Sequence, residues 1–221
     1  MSQTDDISNV LPDGVLSQLS PGTSVLLSGP PMSGKQSLAL QLLAVGHETG
    51  DGVLCVTTKN SAVDVLAELE TKVPTLRREE VGIIDCSGSS SRRTIEDVAT
   101  MRVSSPGDLT GISIGAAKLL QRFTNQDIST VRHGLVSVST LVKYLDLETV
   151  IKFLHIYTVR IRDTEGLGIF TIDTLTHDPR TINAVTSEFD GVIELRETDA
   201  GDREIRIRGF SGVDSRWRSY P

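Results

Sequence analysis

The sequence predicts an α/β fold in which a mostly parallel sheet is flanked by helices and closed by a C-terminal β-hairpin. Short apolar segments of strand length alternate with longer segments of helical periodicity along nearly the whole chain, and this alternation is typical of a parallel sheet with helices packed against it. The last two strand-like segments are joined by residues 197–203, which are rich in turn formers and too few to hold a helix. A chain of 221 residues is long enough to bury one sizeable core.

Strand candidates are recognised by apolar and β-branched composition between clusters of turn formers. In chain order they are residues 24–28, 52–57, 81–86, 134–138, 167–173, 192–196 and 204–208. The segments between the first five are long enough to hold crossover helices, so we expect those five strands to be parallel. The last two strands should pair in an antiparallel hairpin because their connection is short.

Helix candidates show apolar residues at helical spacing. They are residues 34–45, 61–71, 111–124, 146–162 and 181–189. The fourth begins with Asp146 and Glu148, and acidic residues in a first turn are favourable because they face the positive end of the helix dipole. Residues 87–108 are rich in serine, glycine and paired arginines, which predicts a long polar connection with one short helix at most.

One domain accounts for these elements. We expect residues 21–212 to form it, residues 1–20 to be a flexible N-terminal arm and residues 213–221 to be a C-terminal tail. No apolar run reaches the roughly 18 residues that a membrane-spanning helix needs, and the first residues lack the pattern of a secretory signal. The two cysteines, Cys55 and Cys86, fall inside strand-like runs without a metal-binding or redox spacing. These features predict a cytoplasmic protein that does not contact a membrane.

The charge balance argues against a dedicated nucleic-acid-binding protein. Acidic residues number 29 against 22 basic ones, so the net charge is −7. Proteins that bind nucleic acid present a basic surface to the phosphate backbone. We therefore expect no nucleic-acid partner.

A glycine-rich segment between the first predicted strand and the first predicted helix carries the strongest chemical signal. It has the frame G-x-x-x-x-G-K and consists of Gly29, Pro30, Pro31, Met32, Ser33, Gly34 and Lys35, with Gln36 and Ser37 following. In such a loop the backbone N–H groups and the helix N-terminus face phosphate oxygens, while the lysine reaches the terminal phosphates. The sequence therefore predicts a phosphate-binding loop for a nucleotide; the alternative is an ordinary strand-to-helix turn with a surface lysine.

The phosphate loop and three later segments together resemble the RecA superfamily and, within it, KaiC-like proteins. The later segments are residues 52–61, 81–86 and 205–209, and the similarity spans about residues 15–212. Residues 104–112 and 153–155 resemble more specifically the small single-domain KaiC-like proteins of halophilic archaea. The resemblance implies a RecA-like P-loop NTPase fold and ATP as the ligand.

The residues that hydrolysis would need differ from those that the resemblance implies. The residue after the loop lysine is Gln36, where a Ser or Thr hydroxyl normally binds Mg²⁺. Lys59 and Asn60 stand where KaiC-like proteins have water-activating glutamates. Lys59 could instead attract phosphate, and the alternative is a solvated cation at the end of a strand. Val136 stands at the position of the metal-holding aspartate, and a shift of one residue would place Ser137 there.

Other residues remain as candidates for the missing roles. Asp173 ends the fifth predicted strand, and it is a candidate for metal binding or catalysis, or else a helix cap. Ser37 is a second candidate metal ligand. Arg206 and Arg208 on the last strand correspond to basic residues that, in KaiC-like rings, reach the nucleotide of the neighbouring subunit; the alternative is a solvent-exposed strand face.

The sequence predicts an ATP-binding regulatory or signalling protein that has degenerate catalytic machinery, hydrolyses little or no nucleotide, and acts through a protein partner or self-assembly. One alternative is an active Mg²⁺-dependent ATPase that uses Asp173 or Asp85 in place of the missing acids. A second alternative is an interaction scaffold that binds no nucleotide. The tail residue Trp217 fits either a docking tail or a segment folded back on the sheet.

Overall fold

The chain folds as one mixed sheet between two layers of helices. The computed structural model describes residues 21–88 and 95–220, together with Leu11 and Leu19. The strands in this part of the chain are β1 (Ser24–Gly29), β2 (Gly52–Thr57), β3 (Val81–Asp85), β4 (Ala99–Arg102), β5 (Val131–Val136), β6 (Leu167–Asp173), β7 (Gly191–Glu197), β8 (Arg203–Arg208) and β9 (Arg218–Ser219). The helices are α1 (Lys35–Val45), α2 (Ala62–Lys72), α3 (Leu109–Asn125), α4 (Val138–Tyr144), α5 (Leu147–Asp163) and α6 (Pro179–Thr186).

The sheet places β1 at its centre. Across the described residues the strand order is β4-β3-β2-β5-β6-β1-β7-β8-β9. The first seven strands in this order are parallel, and β8 and β9 are antiparallel additions at one edge. The predicted α/β fold, the parallel arrangement and the C-terminal hairpin are therefore confirmed.

Three parts of the predicted strand and helix assignment are wrong. The connection after β3 contains the edge strand β4, which a sequence pattern does not reveal because its four residues are half-buried or exposed rather than alternating; residues 89–94 lie outside the described part. The predicted strand 134–138 is observed as Val131–Val136, since the polar Arg132 and His133 are part of it. The helix α4 was not predicted because it is short and rich in β-branched residues, which have low helix propensity.

The core consists of two apolar clusters, one on each face of the sheet. One cluster joins the sheet to α1 and α2, and the other joins it to α3, α4, α5 and α6. Successive residues of a central strand enter opposite clusters: Val25 and Leu27 face the first cluster and Leu26 faces the second. This alternation explains why β1 reads as a continuous apolar run, as expected of a strand that is buried on both faces.

Residues near both ends of the chain pack against the domain. Most of the predicted N-terminal arm lies outside the described residues, but Leu11 is 3 % exposed and belongs to the cluster beneath α1. The C-terminal segment folds back on the sheet, where β9 pairs with β8. The guanidinium carbons of Arg196 and Arg206 lie 4.1 and 4.5 Å from the ring centre of Trp217, so stacking on these cations holds the indole.

None of the helices in the described residues combines the length and the apolar character that crossing a bilayer requires.

A buried histidine should make the stability of this fold depend on pH. His133 on β5 is 1 % exposed, its Nδ1 lies 3.4 Å from Tyr157 Oη, and its Nε2 has no hydrogen-bond partner among the described residues. Burial, with a smaller contribution from the positive charge of Arg160, lowers the pKa of His133 from 6.5 to about 4. Between pH 6.5 and pH 4 His133 is therefore protonated in the unfolded chain but neutral in the folded chain. The free energy of unfolding falls as the pH drops through this range.

We expect the His133→Gln variant to lose this contribution. Between pH 7 and pH 4 the free energy of unfolding of the parent should fall by up to about 3 kcal/mol more than that of the variant. Urea unfolding at several pH values measures the difference. Parallel pH profiles for the two proteins would contradict the prediction.

Candidate functional site

The glycine-rich loop links the central strand β1 to the N-terminus of α1. Two of its residues have left-handed backbone conformations, Met32 with φ 62° and Gly34 with φ 85°. Gly29 must be a glycine here, because a Cβ atom would lie 2.8 Å from both Leu195 O and Ser33 Oγ. Left-handed residues within a loop turn successive N–H groups towards a common point, which makes a concave anion site. The backbone of the loop therefore has the form expected of a phosphate cradle.

The N-terminus of α1 opens into this loop without a capping side chain. Its N-cap residue is Gly34, and its first turn contains no acidic residue. The first N–H groups of a helix have no partner within the helix, and they carry the positive end of its dipole. An anion bound in the loop would accept hydrogen bonds from these N–H groups and would be attracted by the positive end of the dipole.

The loop also contains an unpartnered hydroxyl. Ser33 is 7 % exposed and lines the cleft above the loop, and its Oγ has no hydrogen-bond partner among the described residues. Buried polar groups are usually paired, because an unpaired one retains the cost of losing water. Ser33 Oγ instead lies against Gly29 beneath the loop, where it is shielded from the cleft.

Lys35 is buried within the site rather than being a surface lysine. It is 7 % exposed, its Nζ donates to Pro30 O at 2.8 Å, and the same Nζ lies 2.5 Å from Asp173 Oδ1. The neighbouring strand supplies this carboxylate, because β1 and β6 pair with Gly29 opposite Asp173. An anion that reaches Lys35 must therefore compete with Asp173 for the ammonium group.

The loop forms one wall of a cleft of about 390 Å³ at the carboxyl ends of the parallel strands. Besides loop residues, the cleft is lined by Gln36, Ser37, Thr57, Lys59, Asn60, Glu68, Val136, Ser137, Thr171 and Asp173. Parallel strands end at the same edge of a sheet, and this explains how residues distant in sequence come together here. Of the predicted ligand-binding residues, those from Pro31 to Ser37 and Lys59 belong to this lining, whereas Gly29 and Pro30 do not.

The positions expected to carry catalytic acids do lie in the cleft. Lys59 and Asn60 follow β2, and Val136 ends β5 beside them, because β2 and β5 pair with Thr57 opposite Val136. Ser137 comes next and has a left-handed backbone with φ 102°, a costly conformation for a residue with a side chain. The side chains at these expected acid positions supply no carboxylate.

One carboxylate in the cleft was not anticipated from the sequence. Glu68 lies in the middle of α2, half-buried, between the core residues Val65 and Leu69. Its signal in the sequence is a charged residue next to the inward-facing apolar row of a helix, a pattern that Lys72 repeats one turn later. The cleft therefore contains two carboxylates in its lining, Glu68 and Asp173.

The residues present fit Mg²⁺ poorly. Gln36 occupies the usual hydroxyl position, and the alternative hydroxyl, Ser37 Oγ, accepts a hydrogen bond from Lys72 Nζ at 2.6 Å. The alternative carboxylate, Asp173, is paired with Lys35. Both candidate metal ligands thus face an ammonium group, and a second cation there would be repelled.

Asp85, the other candidate acid, accepts hydrogen bonds from the backbone of two neighbouring segments. Its Oδ2 accepts from Ala62 N at 2.9 Å at the start of α2, and its Oδ1 accepts from Ser87 N at 2.9 Å. It is not among the residues that line the cleft. Its position gives it a structural role at the end of β3.

Arg206 and Arg208 project from β8 towards a shared partner on β7. Their guanidinium groups lie 2.5 and 2.7 Å from the two carboxylate oxygens of Glu194. Neither arginine lines the cleft of its own chain. The predicted contact with a nucleotide of a neighbouring subunit stays a prediction.

Comparisons with known proteins identify the fold and the family. The crystal structure of a KaiC-like protein from the hyperthermophilic archaeon Pyrococcus horikoshii matches with a TM-score of 0.63 and 17 % identity, covering 91 % of this chain and 85 % of that chain. At this identity the likeness concerns the fold, which is RecA-like and of the KaiC type. The predicted closeness to proteins of halophilic archaea stays a prediction.

No curated protein matches the sequence. A family model described as a family of unknown function, DUF7504, matches residues 22–195, which is most of the chain, and the protein therefore belongs to that family.

Proposed function

We propose that the protein binds a nucleoside triphosphate, with ATP as the first choice, through the loop between β1 and α1. The observation that carries this proposal is the buried ammonium group of Lys35 inside a loop with two left-handed residues at the uncapped N-terminus of α1. Backbone N–H groups, the helix dipole and a lysine together make a site for a polyphosphate.

We propose further that hydrolysis is slow or absent. Phosphoryl transfer to water needs a group that orients the water and a metal ion that neutralises the developing charge. Lys59, Asn60 and Val136 fill the places of the expected acids, and the two candidate metal ligands face lysines. Lys59 lines the cleft and Lys72 donates to Ser37 in its lining, so these lysines bring positive charge to the site and we expect binding without a metal ion.

If the protein binds a nucleotide without hydrolysing it, the consequence of binding must be a change in what the protein contacts. We propose a regulatory or signalling role through a protein partner or self-assembly. Two large apolar side chains support it, Met32 on the loop at 93 % exposure and Leu175 just after Asp173 at 78 % exposure. Met32 lines the cleft and Leu175 lies two residues after Asp173, which also lines it, so a partner that covers both side chains would sense whether the site is occupied.

Glu68 favours a second candidate, a weak ATPase. Its carboxylate lines the cleft and has no hydrogen bond to a described residue, so it is available to orient water. This candidate needs measurable turnover that Glu68→Gln abolishes. A third candidate, a scaffold without a nucleotide, requires that ATP leave the melting temperature unchanged.

Lys35→Ala should weaken polyphosphate binding. A charged hydrogen bond to a phosphate is lost and Asp173 is left unpaired beside the ligand, so the affinity for ATP should fall at least about tenfold. Calorimetric titration measures it, and Lys118→Ala, an exposed lysine on α3, is the matched control. Equal affinities of the two variants would contradict the proposed loop.

Asp173→Asn should strengthen binding of metal-free ATP. The amide keeps the shape of the carboxylate but releases Lys35, and we expect a gain of about 3- to 30-fold in affinity in the presence of EDTA. The exposed Asp163→Asn at the end of α5 serves as control. If Asp173 instead holds a metal ion, the same variant will bind ATP more weakly in Mg²⁺ than the parent does.

Turnover of ATP with Mg²⁺ should stay well below about 1 per second, the lower end of typical enzymes. Phosphate release from purified protein measures it, with the Lys35→Ala variant as the background. A rate near the enzymatic range that disappears in this variant would establish an ATPase.

A further inference from the structure

The C-terminal segment brings an aromatic ring to the edge of the phosphate loop. A Cβ atom on Gly34 would lie 3.6 Å from Cε1 and 3.7 Å from Oη of Tyr220, so the phenol ring is in contact range of the N-terminus of α1. Tyr220 is half-buried, and burial raises the pKa of its hydroxyl, which is therefore neutral at physiological pH. A neutral aromatic surface thus adjoins the predicted anion site.

The position of Tyr220 is fixed by the sheet. Its N donates to Arg203 O at 2.8 Å, directly after β9 pairs with β8. Because β7 runs parallel to β1 and β8 runs back, the start of β8 lies at the same edge of the sheet as the loop. Trp217, stacked against Arg196 and Arg206, anchors the preceding turn of chain. Ordering of the tail therefore costs little at the moment of binding.

The geometry of Lys35 sets the direction in which a nucleotide would lie. Its ammonium group reaches towards Asp173 on β6, so the terminal phosphates belong on that side of the loop. The strands β6 and β7 flank β1 on opposite sides. The nucleoside end then leaves over Gly34 towards β7, β8 and β9, where Tyr220 lies.

The cleft itself offers no aromatic surface. Its lining in the described part of the chain consists of loop, polar, acidic and basic residues with Val136. Nucleobases are bound well by aromatic rings, because every base has a π-face that stacks. Tyr220 supplies the missing surface from outside the lining.

We propose that Tyr220 forms a nucleoside-binding subsite, with its ring packed against the base or ribose of a nucleotide whose phosphates occupy the loop. This inference rests on the proposed function and deepens it by naming the residue that distinguishes a nucleotide from a bare polyphosphate. The ring rather than the hydroxyl group makes the contact.

Calorimetric titration with two probes, ATP and inorganic tripolyphosphate, tests the subsite in the full-length protein. Tyr220→Ala should lose about 5- to 50-fold in affinity for ATP and stay within about twofold for tripolyphosphate. Tyr220→Phe should bind ATP as the parent does. Tyr144→Ala, an exposed tyrosine on α4 at 60 % exposure, is the matched control and should change neither affinity.

Each other outcome overturns the subsite in a recognisable way. Equal losses for both probes, together with a loss in Tyr220→Phe, would mean that the hydroxyl donates to phosphate. Tighter binding of both probes by Tyr220→Ala would mean that the ring covers the loop. Unchanged ATP affinity with normal tripolyphosphate binding would refute the subsite alone. A parent protein that binds neither probe would refute the proposed function with it.

Discussion

The ion pair between Lys35 and Asp173 controls the chemistry of the cleft. It exists because β1 and β6 are adjacent parallel strands with Gly29 opposite Asp173, so the loop returns Lys35 over the end of the neighbouring strand. The lysine is nearly buried, and charges held away from water interact more strongly than surface charges do. An anion that binds Lys35 must interact with its ammonium group more favourably than Asp173 does. This requirement favours ligands with several negative charges over ligands with one.

Two further lysines lie in or beside the cleft that contains this ion pair. Lys72 donates to Ser37, and Lys59 is among the residues that line the cleft. An ammonium group neutralises phosphate charge but does not polarise a bound water as a divalent cation does. Lysines in these positions suit the proposed binding of a polyphosphate better than its hydrolysis. In the proposed function, charge therefore separates nucleotide binding from hydrolysis.

Backbone strain marks the same place. Met32 and Ser137 both line the cleft, and both have left-handed conformations that usually require glycine. Such conformations cost roughly 1–3 kcal/mol each and persist only where the surrounding structure enforces them. At Ser137 the constraint is visible, because Thr58 Oγ1 donates to Val136 O at 3.1 Å and ties the ends of β2 and β5 together. The backbone at this end of β5 is thus held in place by a contact from β2.

The sequence by itself determined the alternation of strands and helices, the phosphate loop and the absence of acids after β2 and β5, because these depend on local pattern and motif spacing. Only the tertiary structure decided that Asp173 pairs with Lys35, that Glu68 faces the cleft and that Tyr220 adjoins Gly34. Each of these contacts joins residues far apart in the chain, and its existence depends on which strands are neighbours and in what register. Strand order and register follow from the packing of the whole sheet, which no local segment encodes.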